Sequence, residues 1–262
     1  MPERHPATRQ PDLRMGKEIK RLLAHGITLA VLLNVAVVLA LGLSYEALTA
    51  ANLDSRLITT LSLIICGCAA IALSAVRFKV NLLDVGQSVT IDGLLHAKRC
   101  AALVACSTIA IVWIGIQEGR NFLTAAVGPA AILMEEVIFR GLPFILIYGV
   151  AASRITQIGI TVVFSLTFAS LHLSPLAVMY VDRFVFAVLA VLLAVHFRSI
   201  WPAFVYHLLS NITATSIAAP LHNEHQAWMY IPIDLAIFLL VFIMCSRTIT
   251  KRIVSERTSV KL

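Results

Sequence analysis

The sequence predicts an all-α fold: a polytopic membrane helix bundle of about eight transmembrane helices, with both termini in the cytoplasm. Three observations predict it. The first is composition: of 262 residues, 59% are hydrophobic and only 13% charged, too little charge to keep a globular domain of this length in water. The second is block length. The apolar residues gather in runs of about 17 to 25, the length of helix that crosses a hydrocarbon core of ~30 Å. These runs show no polar/apolar alternation, which argues against a β-barrel. The third is the placement of charge. Basic residues cluster before the first run (Arg4 to Arg21), between the second and third (Arg77 to Arg99) and after the last (Arg247 to Lys261). With eight spans, all three clusters share one side with Arg154 and Arg198, leaving Arg56 and Arg120 for the other. The positive-inside rule makes the richer side cytoplasmic. The net charge of +7 therefore points to anionic lipid head groups, not to nucleic acid.

The eight runs are 27–44, 58–76, 101–117, 122–150, 156–172, 177–196, 200–219 and 229–246. Residues 1–26 form a basic cytoplasmic segment, too long and too charged for the n-region of a signal peptide. No small-residue cleavage site follows the first run, which reads as a retained span. One transmembrane domain, 27–246, leads to a basic cytoplasmic tail, 247–262. In the second run Cys66-Gly-Cys68 has the wrong spacing for a redox pair, and the five cysteines read as packing residues. The stretch 77–100 mixes Val80, Leu82, Leu83 and Val85 with Lys79 and Asp84. It reads as an amphipathic helix on the cytoplasmic surface or as a plain loop. Gly128-Pro129 interrupts the fourth run. The helix is expected to begin there, with Pro129 in its first turn, where a missing N–H costs nothing. That start puts Glu135 under about two turns from the outer end of the span.

An ionisable group inside a spanning helix costs at least ~2.5–3.5 kcal/mol, so each one needs a reason. Glu135, Glu136 and Arg140 all lie in the fourth run. Glu136 and Arg140, four residues apart, share a helix face and form an ion pair. Glu135 is about 100° round the helix and has no partner on it. A lone carboxylate in an apolar setting can accept a proton near neutral pH. A structural ion pair plus a packing glutamate is the bland alternative, and it leaves Glu135 unexplained. The fifth run ends Phe168-Ala169-Ser170-Leu171-His172, and the seventh contains His207-Leu208-Leu209-Ser210-Asn211. Each is an i, i+4 arrangement on one helix face. Singly, each histidine is more often a helix–helix hydrogen bond than a catalyst. Together, a carboxylate, two imidazoles and a carboxamide on three spans can make a water-activating base and an oxyanion site. Asp182-Arg183, also inside a run, reads as a buried or interfacial ion pair.

The order Glu-Glu-x-x-x-Arg, Phe-x-x-x-His, His-x-x-x-Asn on successive spans resembles the CPBP family, which comprises CAAX-type prenyl endopeptidases and bacteriocin-processing or immunity proteins. Here the motifs read Glu135-Glu136-…-Arg140, Phe168-…-His172 and His207-…-Asn211, within a core of about 122–215. The resemblance implies an intramembrane endopeptidase acting on a membrane-associated peptide or protein tail. It implies that Glu135 is the general base and that His172 orients and activates the water. His207 and Asn211 would donate to the oxyanion, and Arg140 paired with Glu136 would hold the helix in place. No cofactor is expected. The rival is a zinc enzyme with Glu135, His172 and His207 as ligands, although there is no His-Glu-x-x-His helix. A non-catalytic immunity or scaffold protein is a rival of another class, and a proton-coupled transporter a third; no inverted repeat supports the last. The expected location is the bacterial cytoplasmic membrane.

Overall fold

The computed structural model describes residues 12–49, 55–73, 91–117, 119, 122–149, 153–172, 176–197, 199–217 and 228–259. The regular elements among them are all helical: α1 (Asp12–Thr49), α2 (Ser55–Leu73), α3 (Ile91–Gln117), α4 (Phe122–Glu136), a π-helical turn (Val137–Gly141), α5 (Leu142–Gly149), α6 (Arg154–Leu171), α7 (Ala177–Phe197), α8 (Trp201–Ile217) and α9 (Tyr230–Ser259). Each apolar run falls on one helix, except that the fourth is carried by α4, the π turn and α5 together; α1 and α3 begin well before their runs and α9 continues well past its run. Three helical stretches are long and apolar enough to cross a membrane: Ala30–Thr49, Arg154–Leu171 and Ala177–Phe197. Leu57–Ala72, Ala102–Gln117 and Tyr230–Ser246 are shorter apolar stretches.

The boundaries differ from the sequence expectation in instructive places. Residues 91–100 are the opening turns of α3, so only 77–90 of the stretch read as a surface helix or loop lies outside the described residues. The expectation that the fourth helix begins at Pro129 is overturned: α4 starts at Phe122 and carries Pro129 inside it. Neighbouring helices can satisfy the backbone groups that a proline frees in a packed membrane helix, which is why the helix continues through it. Glu135 consequently lies about 20 Å along α4 from its start, nearly four turns instead of under two.

The core gathers where α7 packs between α6 and α8 and both α6 and α7 meet the π turn. Phe164, Phe168, Phe186 and Tyr206 are fully buried there, as are Ala187, Ala190 and Ala194 of α7. The small α7 residues let helix backbones approach closely, which is how helices associate in lipid without a hydrophobic driving force between them. The outer surface is apolar too, with Leu39, Leu43, Ile109, Trp113 and Leu240 exposed. A second close approach fixes the height of α4. A Cβ built on Gly67 of α2 would stand 2.6 Å from Met134 Cβ and 2.5 Å from its Sδ. Only glycine admits α2 this close to the residue that precedes Glu135. The start of α6 is capped by Ser153, whose hydroxyl accepts from the Thr156 N–H at 3.2 Å.

Candidate active site

Three helical pieces bring the motif residues together. The end of α4 supplies Glu135 and Glu136, the C-terminus of α6 supplies His172, and the middle of α8 supplies His207 and Asn211. Immediately after Glu136 the helix opens into the π turn, closed by the Leu142 N–H donating to Val137 O. All five residues of the turn are buried. One extra residue in a turn re-aims the side chains around it, and such turns recur at functional sites.

Glu136 and Arg140, both with fully buried side chains, form the expected i, i+4 pair at 3.2 Å between Oε2 and Nε. The guanidinium group gains a second kind of partner. Its carbon lies 4.3 Å from the ring centroid of Phe168 and 5.3 Å from that of Phe186, so two aromatic faces support the charge where water is excluded. Phe168 also packs at a tilt against His172, centroids 4.2 Å apart, and meets Phe139 edge-on at 5.4 Å. The first residue of the Phe-x-x-x-His motif is thus a platform shared by Arg140 and the histidine.

Glu136 has a further role that its spacing did not reveal. Its Oε1 lies 2.6 Å from His207 Nδ1. His207 in turn presents Nε2 to Glu135 Oε2 at 3.8 Å. The imidazole is therefore held between two carboxylates of consecutive residues, one close and fully buried, the other more distant and 16% exposed. With Nδ1–H donated to Glu136, Nε2 accepts when the ring is neutral and donates when it is charged. His172 is oriented differently. Its backbone leaves the helix at φ −91°, ψ 72°, and its Nδ1 lies 2.8 Å from Phe168 O. Donation of Nδ1–H to that carbonyl leaves Nε2 as the available lone pair.

Glu135 is where these groups meet the open space. It lines a cavity of about 680 Å³ with His172, and a second of about 410 Å³ with Asn211. The two share Glu135, Thr59 and Leu63 in their linings. The larger one runs up to α1, through Val38, Leu39 and Leu43. Helix α1 lies outside the motif-bearing core, and nothing in its sequence marked it as part of the site. Asn211 is one turn beyond His207 on the same face of α8. Asp182 is fully buried and approaches Arg183 Nε at 3.9 Å, the pair read from the sequence.

The alternative zinc set of Glu135, His172 and His207 does not converge as a ligand shell. Among the described residues no three His, Cys, Asp or Glu side chains stand close enough to hold one metal ion.

Residues 117–213 match a family model described as type II CAAX prenyl endopeptidase Rce1-like. The matched segment runs from the end of α3 into α8 and carries all three motifs, so the resemblance to the CPBP family is borne out. No curated protein and no solved structure gives a significant match. With its several apolar helices, the chain is an integral membrane protein similar to CAAX-type intramembrane proteases.

Proposed function

We propose that the chain is an intramembrane endopeptidase that hydrolyses a peptide bond in a membrane-associated peptide or protein tail, in CAAX-type or bacteriocin-type processing. The observation that carries this reading is the position of Glu135. It is a partly exposed carboxylate on the wall between two cavities, with one histidine 3.8 Å away and another across the larger cavity. A merely structural glutamate at this depth would be buried and paired, as Glu136 is.

The proposed chemistry follows from the available atoms. Glu135 takes a proton from a water that His172 Nε2 helps to orient, and the water oxygen bonds to the scissile carbonyl carbon. The carbonyl oxygen becomes the oxyanion, which His207 Nε2 and Asn211 stabilise. Donation from Nε2 requires the imidazolium form of His207, whose charge Glu136 balances at 2.6 Å. The carbon–nitrogen bond then breaks, and the proton held by Glu135 passes to the leaving amine. Arg140 and Phe168 hold Glu136 and the rings in register. No metal is needed in this scheme, and the zinc reading remains its direct competitor. The apolar outer faces of α1 beside the larger cavity favour entry from the bilayer. Both termini lie in the cytoplasm in this reading, and the membrane is the bacterial cytoplasmic membrane.

The test is a cleavage screen with the purified protein on lipidated and unlipidated peptides, read by mass spectrometry with and without a chelator, alongside metal analysis. Defined cleavage that survives chelation and metal removal supports the proposal. Cleavage abolished by chelation and restored by Zn²⁺ replaces it with the zinc version. Stable binding of peptides without cleavage supports the scaffold reading instead.

A further inference from the structure

The larger cavity has a wall that the catalytic scheme does not use. Helix α1 runs along it and ends at Thr49, and the last α1 side chains lining it are Tyr45 and Glu46. Glu46 is exposed and has no ion-pair partner among the described residues. The same cavity holds the carboxylate of Glu135 and the ring of His172. Among the described residues, no lysine or arginine lines it. It is therefore a largely apolar cavity with two carboxylates in its lining, Glu135 at the reacting bond and the exposed Glu46 on α1.

We propose that Glu46 is a specificity-determining residue that selects substrates with a lysine or arginine close to the scissile bond. This rests on the protease reading only for the identity of the bond; the charge preference belongs to the cavity itself. A cavity of 680 Å³, taken as roughly spherical, is about 11 Å across, which an extended chain spans in about three residues. The basic residue thus lies within about three residues of the bond. Its long methylene stem suits the apolar wall of Leu39 and Leu43 while its charge reaches Glu46 at the rim. An acidic residue at the same position faces two carboxylates and is disfavoured. Opposed charges of this kind act mainly on choice of partner.

The experiment uses the full chain with the Glu135→Gln substitution, in nanodiscs of uncharged lipid, so that binding is read without turnover. The probes are fluorescent palmitoylated peptides identical except for Lys, Gln or Glu at one position. With Glu46 present, the Lys peptide should bind about fivefold more tightly than the Glu peptide, the scale of one partly exposed ion pair. Glu46→Gln should bring that ratio close to one, and Glu46→Lys should invert it. An unchanged ratio in all three proteins overturns the proposal, and so does failure of every peptide to bind. Turnover of the same peptides by protein with Glu135 intact separates the two claims. Charge-dependent binding without cleavage sinks the protease reading and leaves Glu46 in its role; cleavage with no dependence on Glu46 does the reverse.

Discussion

Replacing Glu136 by alanine separates the two adjacent glutamates most sharply. Glu136 carries two interactions out of reach of water: the 2.6 Å contact with His207 Nδ1 and the 3.2 Å pair with Arg140. Without it, the fully buried Arg140 keeps the faces of Phe168 and Phe186 and the more distant carboxylate of Glu135. Removing one partner of a buried pair costs about 3–5 kcal/mol, because the other charge stays in place uncompensated. For a chain of this size that is a fall in Tm of roughly 6–20 °C. Glu135→Ala should behave differently: the side chain is 16% exposed and His207 Nε2 stands 3.8 Å from it, so its stability cost should stay below about 1 kcal/mol. The assay is thermal unfolding of detergent-purified variants, followed by size-exclusion recovery after heating. The double variant Glu136→Ala/Arg140→Met should recover much of the loss, since apolar replacements tolerate burial where a stranded charge does not. If Glu136→Ala melts with Glu135→Ala and the double variant gains nothing, then Arg140 does not depend on Glu136 and the account of the π turn is wrong.

Three further outcomes follow from the same geometry. Asn211→Ala should lower kcat by about 10²–10³ with a small change in KM, as loss of an oxyanion donor does; a drop of less than fivefold would remove Asn211 from that role. Gly67→Ala should destabilise the protein by about 1–3 kcal/mol through overpacking against Met134 and should reduce activity as well, because the displaced helix carries Glu135; wild-type melting and turnover would show that α2 and α4 are not in the contact described. In a cysteine-free background, an impermeant thiol reagent applied outside cells should label Trp228→Cys, ahead of α9, and leave Arg154→Cys, at the start of α6, unlabelled. The opposite pattern reverses the proposed orientation.

Hydropathy made the helices legible, because in lipid every backbone polar group must be satisfied within its own segment. It could not say where α4 begins. Gly128-Pro129 is a strong local stop signal, yet a proline can sit within a helix whose neighbours hold it, and α4 extends seven residues upstream. The π turn was equally hidden, since no residue pattern in 137–141 distinguishes it from an ordinary α-helical turn. The pairing of Glu136 with Arg140 was readable because it is local, four residues apart on one helix. The pairing of Glu136 with His207 was not, because it joins residues 71 apart in sequence. Helix α1 escaped notice for a related reason. Its residues are those of any membrane span, and only the packed bundle brings Glu46 and Leu39 to the cavity shared by Glu135 and His172.

The claim at the centre of this account is that Glu135 activates the water. The most direct measurement is the turnover of a quenched-fluorescent membrane-tethered peptide by purified protein, wild type against Glu135→Gln, with unfolding curves recorded on the same samples. Glutamine keeps the size and the hydrogen-bonding shape of the side chain but cannot take the proton. Glu135→Gln should melt with the wild type and lose at least about 10³ in kcat, the scale of a general base acting on a difficult attack. A Glu135→Gln protein that cleaves at the wild-type rate would contradict it.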